Sequence, residues 1–208
     1  MKRFFLLSIL FCFVLASPCL SRAETYQIGA NVAAKVDYFH FTDSNIADLN
    51  AQDGVYVGIE AYKQLFFPNF NLGMEVGWAG TSGSTTGFVP FGPFITQVTL
   101  DTDINYIPIE FNAKYVVPLS DCFSLDLGAG FSINHFDIET KIPALGSVSD
   151  DDWVWGGQFF TGLNYRYRNW LMGINFKYQL TEELRFFGAN TSTSADNLRA
   201  GVQIGYTF

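Results

Sequence analysis

The feature that most constrains this chain is an alternation of apolar and polar residues, with a period of two, that runs through most of it. In residues 26–38 the even positions carry Tyr, Ile, Ala or Val, whereas the odd positions carry polar or small residues. Successive side chains of a β-strand point to opposite faces, so this period indicates strands with one apolar and one polar face. After residue 23 the apolar runs are only a few residues long, too short for a membrane-spanning helix. The pattern predicts an all-β protein.

The alternation and its interruptions divide the chain into eight strands. The alternating segments are residues 26–38, 55–64, 71–78, 97–115, 123–134, 155–166, 172–180 and 198–208. The connections at residues 67–69, 117–121 and 168–169 are short, and those at 40–54, 81–94, 136–152 and 181–197 are long. Short turns at one end and long loops at the other are typical of outer-membrane barrels, in which closure leaves no backbone group unpaired in lipid. We therefore predict an eight-stranded antiparallel up-and-down transmembrane β-barrel with both termini on the periplasmic side.

The positions of the aromatic residues favour a membrane barrel over a soluble one. Aromatic residues at the apolar positions of the alternation lie next to the short turns and next to the long loops. Those near the short turns are Tyr115, Phe123, Tyr165, Trp170, Tyr206 and Phe208, and those near the long loops are Tyr38, Trp78, Trp153 and Trp155. Two such belts match the two interfaces of a bilayer. The alternative is a lipocalin-like cup with the polar face outside. If the membrane interpretation is right, the apolar residues should point away from the barrel axis, as tested on Val57, Leu72, Ile109, Leu127, Phe159, Ile174 and Val202.

The fourth segment is the least regular of the eight. Its alternation is clear from Ile107 to Tyr115 but gives way to Asp101 and Asp103 above Tyr106. A polar upper end that extends past the membrane would explain this change, and so would a bulge near Pro108.

The beginning of the chain has the pattern of a secretory signal peptide. Lys2 and Arg3 precede an apolar run, and Ser21-Arg22-Ala23 places small residues where a signal peptidase cleaves. We expect a signal peptide at residues 1–23 and the barrel at residues 24–208; acylation of Cys19 is a weaker alternative, because Pro18 stands where a small residue is needed. The mature part would be more acidic than the full sequence, whose net charge is already −8. This charge argues against nucleic acid as a partner.

Two segments resemble known families. Residues 201–208 end in Tyr206-Thr207-Phe208 with alternating apolar positions, and this segment resembles the last strand of outer-membrane proteins. Residues 107–115 resemble a strand of the small OmpA/OmpX and opacity-protein barrels. The resemblance implies an outer-membrane location, a barrel, and recognition of Tyr206 and Phe208 by the barrel-assembly machinery. It leaves the function open.

Charged residues on the polar parity are the candidate functional residues. They are Lys35, Asp37, Glu60, Glu75, Glu110, Lys114, Asp126, Arg166, Lys177 and Arg199. The lumen of an eight-stranded barrel is only wide enough for side chains, so these charges must pair. We expect Glu60, Glu75 and Glu110 to face Lys177, Arg199 and Lys35 across the lumen. Such a cluster is either a structural plug or a salt-bridge gate for a narrow ion path.

Other chemistry has less support in the sequence. A lipid A-modifying enzyme would need a histidine with a serine and an acid, and neither His40 nor His135 has a serine two or four residues away on the same face of a predicted strand. We expect no cofactor and no metal site; Asp150-Asp151-Asp152 is more consistent with a soluble loop, and divalent bridging to lipopolysaccharide is the alternative. The expected partners are outer-membrane lipid, lipopolysaccharide and an unidentified extracellular ligand. The sequence thus favours a structural or surface-interaction protein, then a narrow channel, then an enzyme.

Overall fold

The computed structural model describes residues 29–91, 94–142, 146–186 and 189–208. The predicted signal peptide, and Tyr26 and Ile28 of the predicted first strand, lie outside the described residues. Within these ranges, ten strands and one short helix follow one another. They are β1 (Ala30–Phe41), α1 (Ser44–Asp48), β2 (Asp53–Gln64), β3 (Phe70–Phe91), β4 (Phe94–Pro118), β5 (Phe123–Ile142), β6 (Gly146–Tyr167), β7 (Trp170–Thr181), β8 (Glu183–Phe186), β9 (Ala189–Ser194) and β10 (Asn197–Thr207).

Eight of the strands close into a barrel. Their order around the ring is β1-β10-β7-β6-β5-β4-β3-β2, and every neighbouring pair is antiparallel. The closing pair is β1 with β10, so the first and last strands leave no open sheet edge in the ring. This architecture confirms the predicted eight-stranded up-and-down barrel.

The apolar residues of the alternating pattern lie on the outside of the barrel, as the membrane interpretation requires. In β1 the residues Val32 and Val36 are exposed, whereas Lys35 and Asp37 between and beside them are buried. The seven test residues named above are all exposed or partly exposed. The soluble cup is wrong, because the interior is lined by buried charged and amide side chains.

The prediction of loops at residues 81–94 and 136–152 was wrong. Most of these residues continue the barrel strands, so that β3 pairs with β4 up to Phe91 and Phe94, and β5 pairs with β6 up to Ile142 and Gly146. The apolar alternation ends here because the strands leave the lipid, but antiparallel pairing still satisfies their backbone groups. The result is a four-stranded sheet that extends beyond the ring.

The polar upper end of β4 belongs to this extension, and the alternative of a bulge at Pro108 was wrong. The register between β3 and β4 is the same at Val76–Ile109, below the proline, as at Ala79–Tyr106, above it. The register with β5 is also continuous through Pro108. Pro108 lacks only the N–H that would have paired at this level.

The two remaining long connections fold over the mouth of the barrel. The connection from β1 to β2 contains α1, which begins after Asp43, whose side chain accepts a hydrogen bond from the Asn45 N–H at 2.8 Å. The connection from β7 to β10 contains the hairpin β8–β9. Within the described residues, no helix has the length and apolar character needed to cross a bilayer.

Candidate functional site

A row of three carboxylates crosses the interior wall of the barrel. Glu60 on β2 is directly opposite Glu75 on β3, and Glu75 is directly opposite Glu110 on β4. All three side chains point inward and are buried. Like charges opposite each other on adjacent strands repel, so this row needs cations close to it.

Cations from the facing wall reach this row. Lys177 on β7 and Arg199 on β10 are also opposite each other in register. The Lys177 Nζ donates to Glu75 Oε2 at 2.6 Å and to Glu110, and the Arg199 Nη2 donates to the other oxygen of Glu110. Each ammonium or guanidinium group therefore lies between carboxylates, and each carboxylate between cations.

The remaining ion pairs extend the network towards the short turns. The Lys35 Nζ lies 2.5 Å from Glu60 Oε2 and 3.0 Å from Glu75 Oε2. The Lys114 Nζ lies 2.9 Å from Asp126 Oδ2 and 3.9 Å from Glu60 Oε1. The structure thus brings eight of the charged residues predicted for the lumen into one connected cluster, which we call the lumen network: Lys35, Glu60, Glu75, Glu110, Lys114, Asp126, Lys177 and Arg199.

The other two predicted lumen charges lie apart from this cluster. Asp37 is buried and accepts a hydrogen bond from Asn175 Nδ2 at 2.9 Å. Arg166 was expected inside the lumen, but it lies half-buried at the rim, where its Nε donates to the Arg168 carbonyl oxygen at 3.0 Å. A long guanidinium side chain beside a short turn can reach water, which avoids the desolvation cost of the lumen.

Aromatic and amide side chains complete the network. The Tyr56 hydroxyl donates to Glu75 Oε1 at 2.8 Å, and the Arg199 guanidinium lies 4.5 Å from the centre of the Tyr56 ring. Gly58 and Gly77 make room for this ring, since a Cβ at either position would overlap it. Gln179 accepts from Arg199 Nη2 at 3.1 Å, so the guanidinium contacts both charged and neutral acceptors.

Above the lumen network the interior becomes apolar, which the sequence analysis missed. Inward-facing residues about four positions above the network form a buried cluster with the residues that fold over the mouth. We call it the mouth layer: Phe39, Phe41, Ile46, Ala51, Tyr56, Ala79, Ile104, Tyr106, Phe136, Val154, Leu184 and Ala195. Lys35, Asp37, Phe39 and Phe41 are alternate residues of β1 and therefore share its inward face. Extending the alternation beyond the charged residues would have revealed this layer.

Hydrogen bonds hold the two connections together over the mouth layer. Asp43 Oδ2 accepts from the Ser194 N–H at 3.0 Å, and Asn45 Nδ2 donates to the Ser192 carbonyl oxygen at 3.1 Å. The Thr42 N–H donates to the Asp196 carbonyl oxygen at 2.8 Å. These contacts join the segment around α1 to the segment around β9, and the joined segments bring Ile46, Leu184 and Ala195 into the mouth layer.

The sheet beyond the ring is polar and acidic on its outer face. Asp137 and Asp151 are directly opposite each other, as are Asp103 and Glu139. The Lys141 Nζ lies 2.9 Å from Asp103 Oδ2, and this hydrogen bond raises the Lys141 pKa above its ordinary value. The described residues contain no cluster of His, Cys, Asp and Glu that could hold a metal ion.

Both histidines contact carboxylates near the mouth. His40 Nδ1 lies 2.7 Å from Asp53 Oδ1, and His135 Nε2 lies 3.4 Å from Asp151 Oδ2. Both aspartates are largely exposed. In the part of the chain that the structure describes, no hydrogen bond joins either imidazole to a serine.

Comparison with known proteins agrees with this geometry. The profile of the outer membrane protein beta-barrel domain family matches residues 4–208. The chain belongs to this family. Membership in the outer membrane protein beta-barrel domain family places the protein in the outer membrane and agrees with the resemblance to the OmpA/OmpX type. No curated protein matches the chain in sequence.

Solved structures show the same fold at low sequence identity. The barrel is similar to Neisserial surface protein A, with a TM-score of 0.59 and 14% identity, over 86% of this chain and 97% of that one. It is also similar to a major outer membrane protein from Thermus thermophilus, with a TM-score of 0.52 and 11% identity, over 86% of this chain and 99% of that one. At these identities the likeness concerns the fold alone.

Proposed function

We propose that this family member is a non-conducting outer-membrane barrel that acts through its extracellular face. In this proposal the lumen network and the mouth layer make the barrel a rigid support. The sheet formed by the upper ends of β3, β4, β5 and β6, together with the segments over the mouth, presents the surface that meets a ligand. The observation that carries the proposal is that the lumen is closed at two levels by unrelated chemistry.

The lower closure is the lumen network. The cavity among Lys35, Glu60, Lys114 and Asp126 measures about 10 Å³. A cavity needs about 10–15 Å³ to hold one water molecule, so this cavity holds one water at most. An ion that passed here would have to displace paired charges and leave them uncompensated, which is costly in a buried site.

The upper closure is the mouth layer, which contains no charged group. Phe39 and Phe41 are fully buried, with ring centroids 4.6 Å apart, and Phe41 also contacts Tyr106 and Phe136. A packed aromatic constriction excludes water and therefore hydrated ions. Both closures would have to open together before the barrel could conduct.

A narrow channel is the second candidate function. It is favoured by the connected charges, since Lys177 binds both Glu75 and Glu110 and could exchange partners without losing all its contacts. Such an exchange would rearrange the lower closure and leave the upper one in place. We regard the channel as the alternative for this reason.

Single-channel recording in planar bilayers tests the proposal. We expect no conductance steps from the refolded protein, and none from Glu110→Gln, because the mouth layer stays intact in both. The control is Glu139→Gln, which changes a partly exposed acid outside the ring. Steps in the unmodified protein that Glu110→Gln alters and Glu139→Gln does not would replace our proposal with the gated channel.

The remaining expectations from the sequence are also proposals. We propose that residues 1–23 are removed as a signal peptide, that both termini face the periplasm, and that lipid and lipopolysaccharide cover the outer face. We propose no catalytic role, since His40 and His135 contact exposed carboxylates. An assay of lipid A acylation in cells with and without the protein would test this point.

Tyr206 and Phe208 are proposed as the signal read by the barrel-assembly machinery. The Phe208 ring is 72% exposed and lies 5.2 Å from the Tyr206 ring, so it contributes little buried area. Deleting Phe208 should strongly reduce outer-membrane yield in cells but leave refolding into lipid vesicles nearly unchanged. The control Phe159→Ala removes a ring that is 64% exposed elsewhere on the outer face. Normal yield and normal heat-modifiable mobility of the shortened protein would refute the proposal.

A further inference from the structure

A cavity lies where β6 and the chain of β7 separate above the ring. The pairing of these two strands runs from Tyr167–Trp170 to Gly156–Thr181. Beyond this level the chain of β7 continues into β8, which pairs with β9 instead of β6. The cavity between β6 and β8 measures about 410 Å³. We call this cavity the fork, and its lining residues are Asp152, Trp153, Val154, Glu182, Glu183 and Arg185.

Hydrogen bonds to a carboxylate hold the two sides of the fork in place. The Asp152 carboxylate accepts from the Arg185 N–H at 2.7 Å and from the Trp153 N–H at 2.9 Å. At the base of the fork, the Glu182 N–H donates to the Trp155 carbonyl oxygen at 2.9 Å. A side chain therefore bridges β6 and β8 where their backbones are not paired, so the fork is a preformed cleft.

The strand β6 has an open edge on the side of the fork. The Trp155 carbonyl oxygen accepts from the residue that follows β7, and the hydrogen-bonding direction alternates along a strand. Ser147, Ser149 and Asp151 therefore direct their backbone N–H and C=O groups to this same side. Within the described residues, no strand pairs with β6 there above Gly156. Such an edge is a template for one more strand.

The opposite edge of the extended sheet is already covered. The strand β3 pairs with β2 only as far as Gly54–Thr81. Higher up, the Asn50 Nδ2 donates to the Ser84 carbonyl oxygen at 3.0 Å, and a Cβ at Gly83 would overlap the Asn50 backbone. The connection that contains α1 therefore lies against the β3 edge, and the β6 edge is the one that can accept a strand.

The charge of the fork selects the chemistry of that strand. The lining contains three carboxylates and one guanidinium, and Asp151 adds a further carboxylate on the open edge. Trp153 is 55% exposed, and an exposed indole ring also attracts a cation. Carboxylates along an edge repel an acidic strand and attract a basic one. The fork therefore favours a strand that carries lysine or arginine.

We propose that the fork and the open edge of β6 bind an extended basic peptide segment of a partner protein. Backbone groups of the segment pair with those of Ser149 and Asp151, so that the segment adds a strand to the sheet. A lysine or arginine side chain of the segment enters the fork and meets Glu182 and Glu183. This inference rests on the proposed function, because it names the class of ligand that the extracellular face binds.

Binding of synthetic peptides to the full protein in lipid nanodiscs tests the inference. The probe alternates lysine and threonine, matches the length of Ser147–Trp153 and carries a fluorescent label for anisotropy. Two N-methylated versions, one for each alternate set of residues, remove the backbone donors from one edge of the peptide but keep its charges. The variant Glu182→Gln with Glu183→Gln alters the fork. The matched control, Asp101→Asn with Glu139→Gln, removes two charges from the same sheet outside the fork.

We expect the unmethylated peptide to bind and the version methylated on the edge facing β6 to bind severalfold more weakly. The fork variant should also bind the peptide severalfold more weakly than the control variant does. Exchange of the Ser149 and Asp151 amide hydrogens, followed by NMR, should slow severalfold when the peptide binds, because these amides then donate to the added strand.

Other outcomes would overturn the inference. Equal binding of both methylated versions would mean that charge alone attracts the peptide. Equal weakening in the fork and control variants, or unchanged amide exchange at Ser149 and Asp151, would place the peptide elsewhere on the acidic sheet. Absence of binding would remove the site altogether. Failure of the proposed function would instead appear as conductance steps in the single-channel recording, which these peptide measurements do not affect.

Discussion

Replacement of Glu110 by glutamine is expected to lower the free energy of unfolding by about 3–5 kcal/mol. Glu110 is fully buried and accepts from both Lys177 and Arg199. Without its charge, these two cations, which are opposite each other in register, share Glu75 as their remaining carboxylate partner within the lumen network. Glutamine keeps the shape of the side chain, so the loss reports the charge and not a cavity. Denaturant unfolding in lipid vesicles, followed by tryptophan fluorescence, measures it.

The double variant Glu110→Gln with Lys177→Gln decides whether the charges are coupled. Removing one acid and one base should cost less than the sum of the two single changes, because no unpaired charge is then left. The matched control is Glu139→Gln, whose carboxylate lies 3.8 Å from Lys141 outside the ring and is partly exposed. An exposed pair of this kind contributes about 0–1 kcal/mol. Strictly additive losses for Glu110 and Lys177 would mean that the lumen network is not a coupled plug.

Truncation of Phe41 should cost about as much, for a different reason. Phe41 is fully buried at the centre of the mouth layer, in contact with Phe39, Tyr106 and Phe136. Phe41→Ala removes these contacts and leaves a cavity, which typically costs about 3–5 kcal/mol in a packed core. The same unfolding measurement applies.

The control for Phe41 is Phe159→Ala on the outer face. The Phe159 ring is 64% exposed, and its surroundings in the membrane are lipid chains that can fill the space. We expect a much smaller loss there. Equal losses at the two positions would show that the mouth layer is not a packed core, and the upper closure of the lumen would then have to be abandoned.

The two predictions separate the closures of the lumen by their chemistry. The lower closure is electrostatic, so it should respond to removal of a charge and recover when the opposite charge is also removed. The upper closure depends on packing, so it should respond to lost volume. If both hold, conductance requires damage at both levels, for instance in Glu110→Gln combined with Phe41→Ala.

The sequence determined the barrel and the inward or outward direction of the side chains in the eight predicted strands that the structure describes. A period of two assigns residues to two faces, and the cost of unpaired backbone groups in lipid requires closure. Inward placement of Lys35, Glu75 and Lys177 follows from parity alone, and burial of these residues agrees with it. The local sequence pattern was sufficient for these features. The face on which a side chain lies depends on its neighbours along the strand, and the closure of the barrel depends on the lipid that surrounds it.

Only the tertiary structure decided which residues meet. The direct opposition of Glu60, Glu75 and Glu110 depends on strand register, and the contact of Glu110 with Arg199 joins residues 89 positions apart. The extension of β3 to β6 beyond the ring was missed because, outside lipid, strands no longer need an apolar face. The mouth layer forms only when Ile46 and Leu184, from separate connections, fold onto the barrel strands. Pairing across the ring and folding over the mouth are long-range choices, and a periodic pattern carries no information about them.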